Sequence, residues 1–286
     1  MLFYPASGAF VSLTQAALMD AEPSRREQNM ARWALAGSVG NVVGPLLVGL
    51  AVTLGLGWRA VFGLLAALTV VALVGMWRSA ALPHGAEVGE RLDWWDAARG
   101  VVAALRRGEV RLALVLLECA NLTGDVFRSF VALYFVDAVG ATPAAAGLAV
   151  AVLTGVGLVG DALVLPLLER VPGVRYLRAS AWATALVFPA FLLVPHVGAK
   201  LALLGLLGLL NSGWYAVLQA RLYASLPERS GTVMALGSVA GMASGAVLLG
   251  LGLVAQRLGI EAALWLLLAG PLALLAALPR RGRTVS

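Results

Sequence analysis

Residues 112–136 read LALVLLECANLTGDVFRSFVALYFV, and the meaning of this stretch decides the kind of protein the chain is. At roughly 1.5 Å per residue it is long enough to cross a bilayer. Yet Glu118, Asn121, Asp125 and Arg128 stand in its middle. On a continuous helix these four fall at i, i+3, i+7 and i+10, one polar stripe on an otherwise apolar rod. Each ionisable group near a helix centre costs about 2.5 to 3.5 kcal/mol on insertion, against roughly 0.3 to 0.6 kcal/mol returned by each large apolar residue. Alone in lipid, the segment gains nothing by inserting. The stripe is therefore expected to face other helices or a watery cavity, where intramembrane charge marks a substrate or ion pathway. The competing explanation is a buried Asp125 and Arg128 pair at i, i+3 that only locks helix packing. The functional reading is preferred because a charge inside a membrane is costly to keep without a use.

Composition points the same way. The 286-residue chain is 60% hydrophobic and 13% charged, with a mean hydropathy of +0.89, which excludes an ordinary soluble globular protein. An all-α, polytopic bundle in a lipid bilayer is expected. The formal net charge is +6, but the basic residues are spread through short loops rather than gathered in one patch, so no nucleic-acid partner is indicated. Cys119 is the single cysteine and lies inside a span, so no intramolecular disulfide can form. His84 and His196 stand far apart with no Cys-rich company, which argues against a metal site. Asn121-Leu122-Thr123 matches a glycosylation sequon but falls mid-span. No Lys or Arg precedes the first apolar run to make a secretory leader.

Apolar segments of bilayer length predict about nine spans, near 2–19, 33–55, 58–77, 112–136, 143–168, 179–195, 199–222, 231–255 and 260–278. Arginines follow the first, third, fifth, seventh and ninth of them, while the intervening loops hold only Arg59, Lys200 and Arg257. By the positive-inside rule the C-terminus is cytoplasmic and Met1 is extracytoplasmic, in a cell (inner) membrane. An outside amino terminus without a signal suggests that earlier segments are missing. The second span carries Gly40, Gly44-Pro45 and Gly49, and the eighth carries Gly241, Gly245 and Gly250, each after a loop with Pro and Arg. Two six-span copies related by an axis along the membrane normal form a transporter architecture. In that register the first copy lacks its first three spans. The expected organisation is a partial N-terminal bundle over 1–78, a cytoplasmic linker over 79–111 and a six-helix C-terminal bundle over 112–286. Within the linker, Asp93 can cap a helix whose Trp94, Ala98, Val101 and Leu105 share a face, an interfacial helix.

These features resemble the major facilitator superfamily across essentially the whole chain. Glu22-Pro23-Ser24-Arg25-Arg26, then Gly37, Gly40, Gly44-Pro45 and Gly57-Trp58-Arg59-x-x-Phe62, are similar to that family's fourth-to-sixth helix region. Gly44-Pro45 resembles a glycine-proline pattern of its antiporters, departing at Val48-Gly49. Gly157-Leu158-Val159-Gly160-Asp161 resembles the conserved loop between paired helices, with Ala162 where an arginine is expected and basic charge only later, at Arg170. The resemblance implies two bundles working by alternating access, without a cofactor, around a cavity lined by the family's first, fourth, seventh and tenth helices. Three of those correspond to the first, fourth and seventh spans here.

The residues themselves agree that these spans are polar where a cavity wall would be. The first holds Tyr4, Ser7 and Gln15, and the seventh holds Asn211, Trp214, Tyr215 and Gln219 at i, i+3, i+4 and i+8. Ordinary packing of amphipathic aromatics explains Trp214 and Tyr215 equally well. The expected activity is secondary transport of a small molecule, with Asp125 or Glu118 taking up a proton, or a cationic part of a substrate, and Arg128 pairing with the carboxylate when it is empty. The glycine-proline pattern inclines toward proton-coupled efflux. Uptake of a small organic solute, or a truncated protein that does not transport, are the alternatives. An intramembrane enzyme is disfavoured, since residue 158 is Leu rather than the Gly of a Gly-x-Gly-Asp protease motif and no His-Glu-x-x-His occurs.

Overall fold

The computed structural model describes residues 3–78, 94–226 and 229–278, and every regular element among them is helical. Helix α1 spans Phe3–Ala21. A 3₁₀ turn at Pro23–Arg25 leads into α2, Arg26–Thr53, and α3 follows over Trp58–Arg78. The linker helix α4 covers Trp94–Arg106. The stretch with the charged stripe is not one helix but three pieces: α5 (Gly108–Asn121), a π turn (Leu122–Val126) and α6 (Phe127–Asp137). Helix α7 (Pro143–Arg170) starts with Pro in its first turn and Thr142 Oγ1 accepting from Ala145 N at 3.3 Å, and it stops before Pro172. Helix α8 covers Gly173–Leu193. The seventh expected span is broken into α9 (Val197–Asn211) and α10 (Trp214–Ser225). After α11 (Ser230–Leu258), the last expected span is also divided, into α12 (Ile260–Leu267) and α13 (Ala269–Ala277).

Six segments are long and apolar enough to cross a membrane: Pro23–Ala51, Pro143–Arg170, Gly173–Leu193, Val197–Ser225, Gly231–Leu258 and Ile260–Ala277. The other three expected spans are helical too. Helix α3 contributes a shorter apolar stretch, Arg59–Gly75; α1 is 19 residues long; and the α5–α6 segment is interrupted by its polar π turn. Exposed Leu46, Val71 and Met242 on α2, α3 and α11 make apolar surfaces suited to acyl chains rather than water.

The core is divided in depth. One cluster gathers Met19, Met30, Leu114, Leu117, Val164, Leu177, Val217, Leu222 and Leu274. The other gathers Phe127, Val131, Phe135, Leu153, Phe188, Phe191, Leu204 and Leu267. Span after span passes from one cluster to the other at the same level: between Ala120 and Phe127, between Leu153 and Val164, between Leu207 and Trp214. The layer between them carries Asn121, Asp125, Asp161, Asn211 and Ser212. Close approach at this level comes from glycine. A Cβ at Gly208 would stand 2.5 Å from the Leu153 carbonyl oxygen, so α7 and α9 cross nearly backbone to backbone.

At the end rich in arginine, the start of α2 docks on the α7–α8 connection. Gly173 N donates to Glu27 Oε2 at 3.3 Å, Gln28 Nε2 donates to the Leu168 carbonyl at 3.3 Å, and Arg25 approaches Glu169 at 3.8 Å. Helix α4 lies at this end against α5 and α11, with Ala104 buried and Val101 and Leu105 packed on the core. Of the face predicted to lie on a membrane interface, Val101 and Leu105 are partly buried against protein. Asp93, its expected cap, lies outside the described residues.

Lys200 corrects a second expectation. It was assigned to a loop but sits in the first turn of α9, only 4% exposed. Its Nζ donates to Tyr134 Oη at 2.6 Å and to the carbonyls of Phe191 and Leu192 at 2.8 and 3.0 Å. The ammonium therefore caps the C-terminus of α8, where orphan carbonyls and the negative end of the helix dipole welcome a cation.

Candidate functional site

Where the two clusters part, the spans enclose a cavity of about 520 Å³. Its walls come from α2 (Trp33, Gly37, Ser38, Asn41), the α5–π–α6 segment (Asn121, Gly124, Asp125, Arg128), α7 (Thr154, Gly157, Asp161) and the α9–α10 break (Asn211 to Ala216). A groove of about 780 Å³ between α2, α6 and α7 shares Asn41, Asp125, Arg128 and Thr154 with it and adds Pro45.

Two interrupted helices face each other across this space, and the sequence shows locally why each is interrupted. At the first, Thr123 Oγ1 donates to the Cys119 carbonyl at 3.0 Å and Ser129 Oγ to the Asp125 carbonyl at 2.9 Å. At the second, Gly213 adopts φ +73°, a left-handed conformation natural to glycine. The backbone groups freed by that break are met by side chains. Ser212 Oγ lies 2.9 Å from the Gly208 carbonyl and 2.9 Å from the Gly157 carbonyl of α7, its one proton shared between them, and Tyr176 Oη donates to the Ser212 carbonyl at 2.5 Å. Gly213 N, an orphan donor at the start of α10, donates to Asp161 Oδ1 at 3.2 Å. Asn211 joins the two breaks: its Nδ2 donates to the Thr123 carbonyl at 3.4 Å while its Oδ1 accepts from Thr184 Oγ1 at 3.3 Å. Broken helices whose ends meet inside a membrane bundle are a recurrent way to build an ion or solute site.

The predicted stripe is only partly assembled. Asn121, Asp125 and Arg128 line the cavity, and Arg128 Nη2 donates to Asp125 Oδ1 as an ion pair. Asp125 keeps 73% of its side chain exposed and Arg128 33%. Glu118 is not among the lining residues; its carboxylate accepts from Ser244 Oγ on α11. The extra residue of the π turn shifts the helical phase, so Glu118 no longer shares a face with Asp125 and Arg128, while Asn121, at the edge of the turn, still reaches the cavity.

The seventh-span group divides in the same way. Asn211, Trp214 and Tyr215 line the cavity, with Trp214 pinned by donation from Nε1 to Ser180 Oγ at 2.8 Å. Gln219 is buried away from it, and its Oε1 meets no donor among the described residues. Gln15 is buried behind the wall, where its Nε2 donates to Tyr215 Oη at 3.3 Å. Tyr4 belongs to the opening turn of α1. Gly157 and Asp161 lie mid-helix in α7, not in a loop; the helix runs on through Pro166 and stops only before Pro172. Arg170 closes α7 and is exposed. On α2, Gly40 is exposed and Gly44 partly so.

The sequence model of the Major Facilitator Superfamily matches residues 6–249. The chain belongs to the Major Facilitator Superfamily. No curated protein matches it at a comparable level. Members of this superfamily are secondary transporters of small solutes, embedded in a bilayer by many helical spans, and not enzymes.

For a superfamily chain, three wall elements escaped the reading of the residues. Asp161 was expected in a gating loop, yet it is a cavity carboxylate held by Ser38 Oγ at 2.5 Å and by Gly213 N. Trp33 and Asn41, at i and i+8 on α2 with Gly37 between them, were passed over because only the glycines of that helix were weighed. Trp33 stacks on Tyr215 with centroids 6.1 Å apart and planes at 29°, so α2 meets α10 through aromatic rings as well as meeting α7 through Ser38 and Asp161. The break at Ser212-Gly213 had a signal in the Asn-Ser-Gly sequence, a turn composition set within an apolar run.

Proposed function

We propose that this chain works as a proton-coupled exporter of a small molecule by alternating access, with the mid-depth cavity as its transport site. The observation that carries the reading is the Asp125 and Arg128 pair, lodged at a helix interruption on a cavity wall inside an apolar bundle. An ion pair so placed can exist in two states. With the site empty, Arg128 neutralises Asp125. When Asp125 accepts a proton, the guanidinium is released to the cavity, where Asp161 remains to balance it, so the lining carries no net charge and the cost of occluding the site falls. Glu118, the other coupling carboxylate considered from the sequence, hydrogen-bonds across to α11 and is given no part in this step.

The arginine distribution supports a cytoplasmic C-terminus in the cell (inner) membrane, and the Gly44-Pro45 pattern supports the antiport direction. The contacts of Glu27, Gln28 and Arg25 with the α7–α8 connection would be the closed gate on the cytoplasmic side.

The test is proton-coupled flux in proteoliposomes. Asp125→Asn should abolish coupling while the protein remains folded, and undiminished coupled flux would remove Asp125 from the mechanism. Direction is read in cells: an exporter lowers dye accumulation on expression, whereas an importer raises accumulation of its solute.

A further inference from the structure

We infer that the cavity is selective for organic monocations, an ammonium or guanidinium group carried on a flat apolar body. The inference rests on the reading of this cavity as the transport site and goes past it to the chemistry of the solute.

Among the described residues, three charged side chains line the cavity: the carboxylates of Asp125 and Asp161 and the guanidinium of Arg128. Two negative charges against one positive leave one net negative charge. Arg128 is committed to Asp125. The donors on Asp161, Ser38 Oγ and Gly213 N, are both neutral, so they hold and orient its charge without cancelling it. The adjoining groove shares Asp125 and Arg128 and brings no further charged residue among those described, so the balance is the same across the combined space. With one guanidinium serving two carboxylates, an anion entering here meets the excess negative charge, and a cation meets its partner.

The rest of the wall fits the body of such a solute. Trp33 and Tyr215 present a stacked pair of rings, and Gly124, Gly157 and Ala120 leave flat surface beside them. Aromatic faces attract a cation and stack on a planar ring. Asn41 and Asn121 place amides on the same wall. A volume of about 520 Å³ is that of a site for one small molecule.

The probe set is benzyltrimethylammonium, its neutral isostere neopentylbenzene, and phenylacetate, titrated against the purified full chain with cavity tryptophan fluorescence as the readout. The cation should bind about tenfold or more tightly than the isostere, and the anion more weakly than either. Asp161→Asn should remove most of that preference, read as the ratio of cation to isostere affinity. Arg128→Gln should move it the other way, since the cavity then carries two net negative charges. The opposite signs separate a charge effect from misfolding, which would weaken every probe together. Equal or better binding of phenylacetate, no cation preference, no binding of any probe, or a preference that survives Asp161→Asn undiminished overturns the inference. Flux and binding fail separately. Selective cation binding without coupled flux retains the ligand class and sinks the carrier reading, while coupled flux of a solute with no cation preference does the reverse.

Discussion

Replacing Gly213 by alanine tests whether the break between α9 and α10 is held by backbone conformation. The residue sits at φ +73°, and a Cβ there would stand 2.8 and 3.1 Å from the two Val164 methyl carbons and 3.3 Å from Tyr176 Cε1. A left-handed conformation costs an alanine about 1 to 2 kcal/mol, and forcing a methyl into a packed site costs about 1 to 3 kcal/mol. Together they predict a loss of about 2 to 5 kcal/mol, or roughly a 5–15 °C fall in the midpoint of thermal unfolding. Intrinsic tryptophan fluorescence of the purified protein measures it. Gly155→Ala is the control: nothing lies within 4 Å of its Cβ position, so relief of helix-interior glycine should leave stability equal or about 1 kcal/mol higher. Val164→Ala in the Gly213→Ala background should recover the packing part of the loss and not the conformational part, which a double-mutant cycle resolves. A Gly213→Ala midpoint within about 2 °C of the parent would refute the account of the break.

Ser212→Ala removes the hydroxyl shared between the Gly157 and Gly208 carbonyls and should cost about 1 to 2 kcal/mol by the same melt; no change would mean the hydroxyl is dispensable to the crossing. Lys200, the sole lysine of the chain, should resist amine-reactive labelling in the folded protein and react after denaturation, as peptide mapping would reveal; equal labelling in both states would contradict its burial. Lys200→Met should destabilise by about 1 to 3 kcal/mol, because Tyr134 Oη and the last carbonyls of α8 lose their common donor. Glu27→Gln weakens the charge at the N-terminus of α8 and should cost about 0.3 to 1 kcal/mol, fading at high salt; a salt-independent loss would point to packing instead.

Much of this protein is written into single segments of its chain. Hydropathy over some twenty residues is a sum that needs no partner, so runs such as 143–168 could be assigned to membrane helices from residue identity alone. The expense of charge in hydrocarbon likewise sufficed to single out Asp125 and Arg128, which share a wall of the cavity. The three interrupted spans escaped the same arithmetic. A left-handed Gly213 is tolerable inside an apolar span because Asp161 meets its freed N–H, Tyr176 the Ser212 carbonyl and Ser212 the Gly208 carbonyl, and two of those three side chains come from other helices. The phase of a polar stripe is equally a tertiary matter. One π turn, facing Asn211 of another span, sends Glu118 to α11 while Asp125 faces the cavity. Residue identity thus settles which segments enter the bilayer, because that free energy is additive along the chain. Which polar groups meet inside is decided by packing, because each is paired by a neighbour that only the assembled bundle supplies.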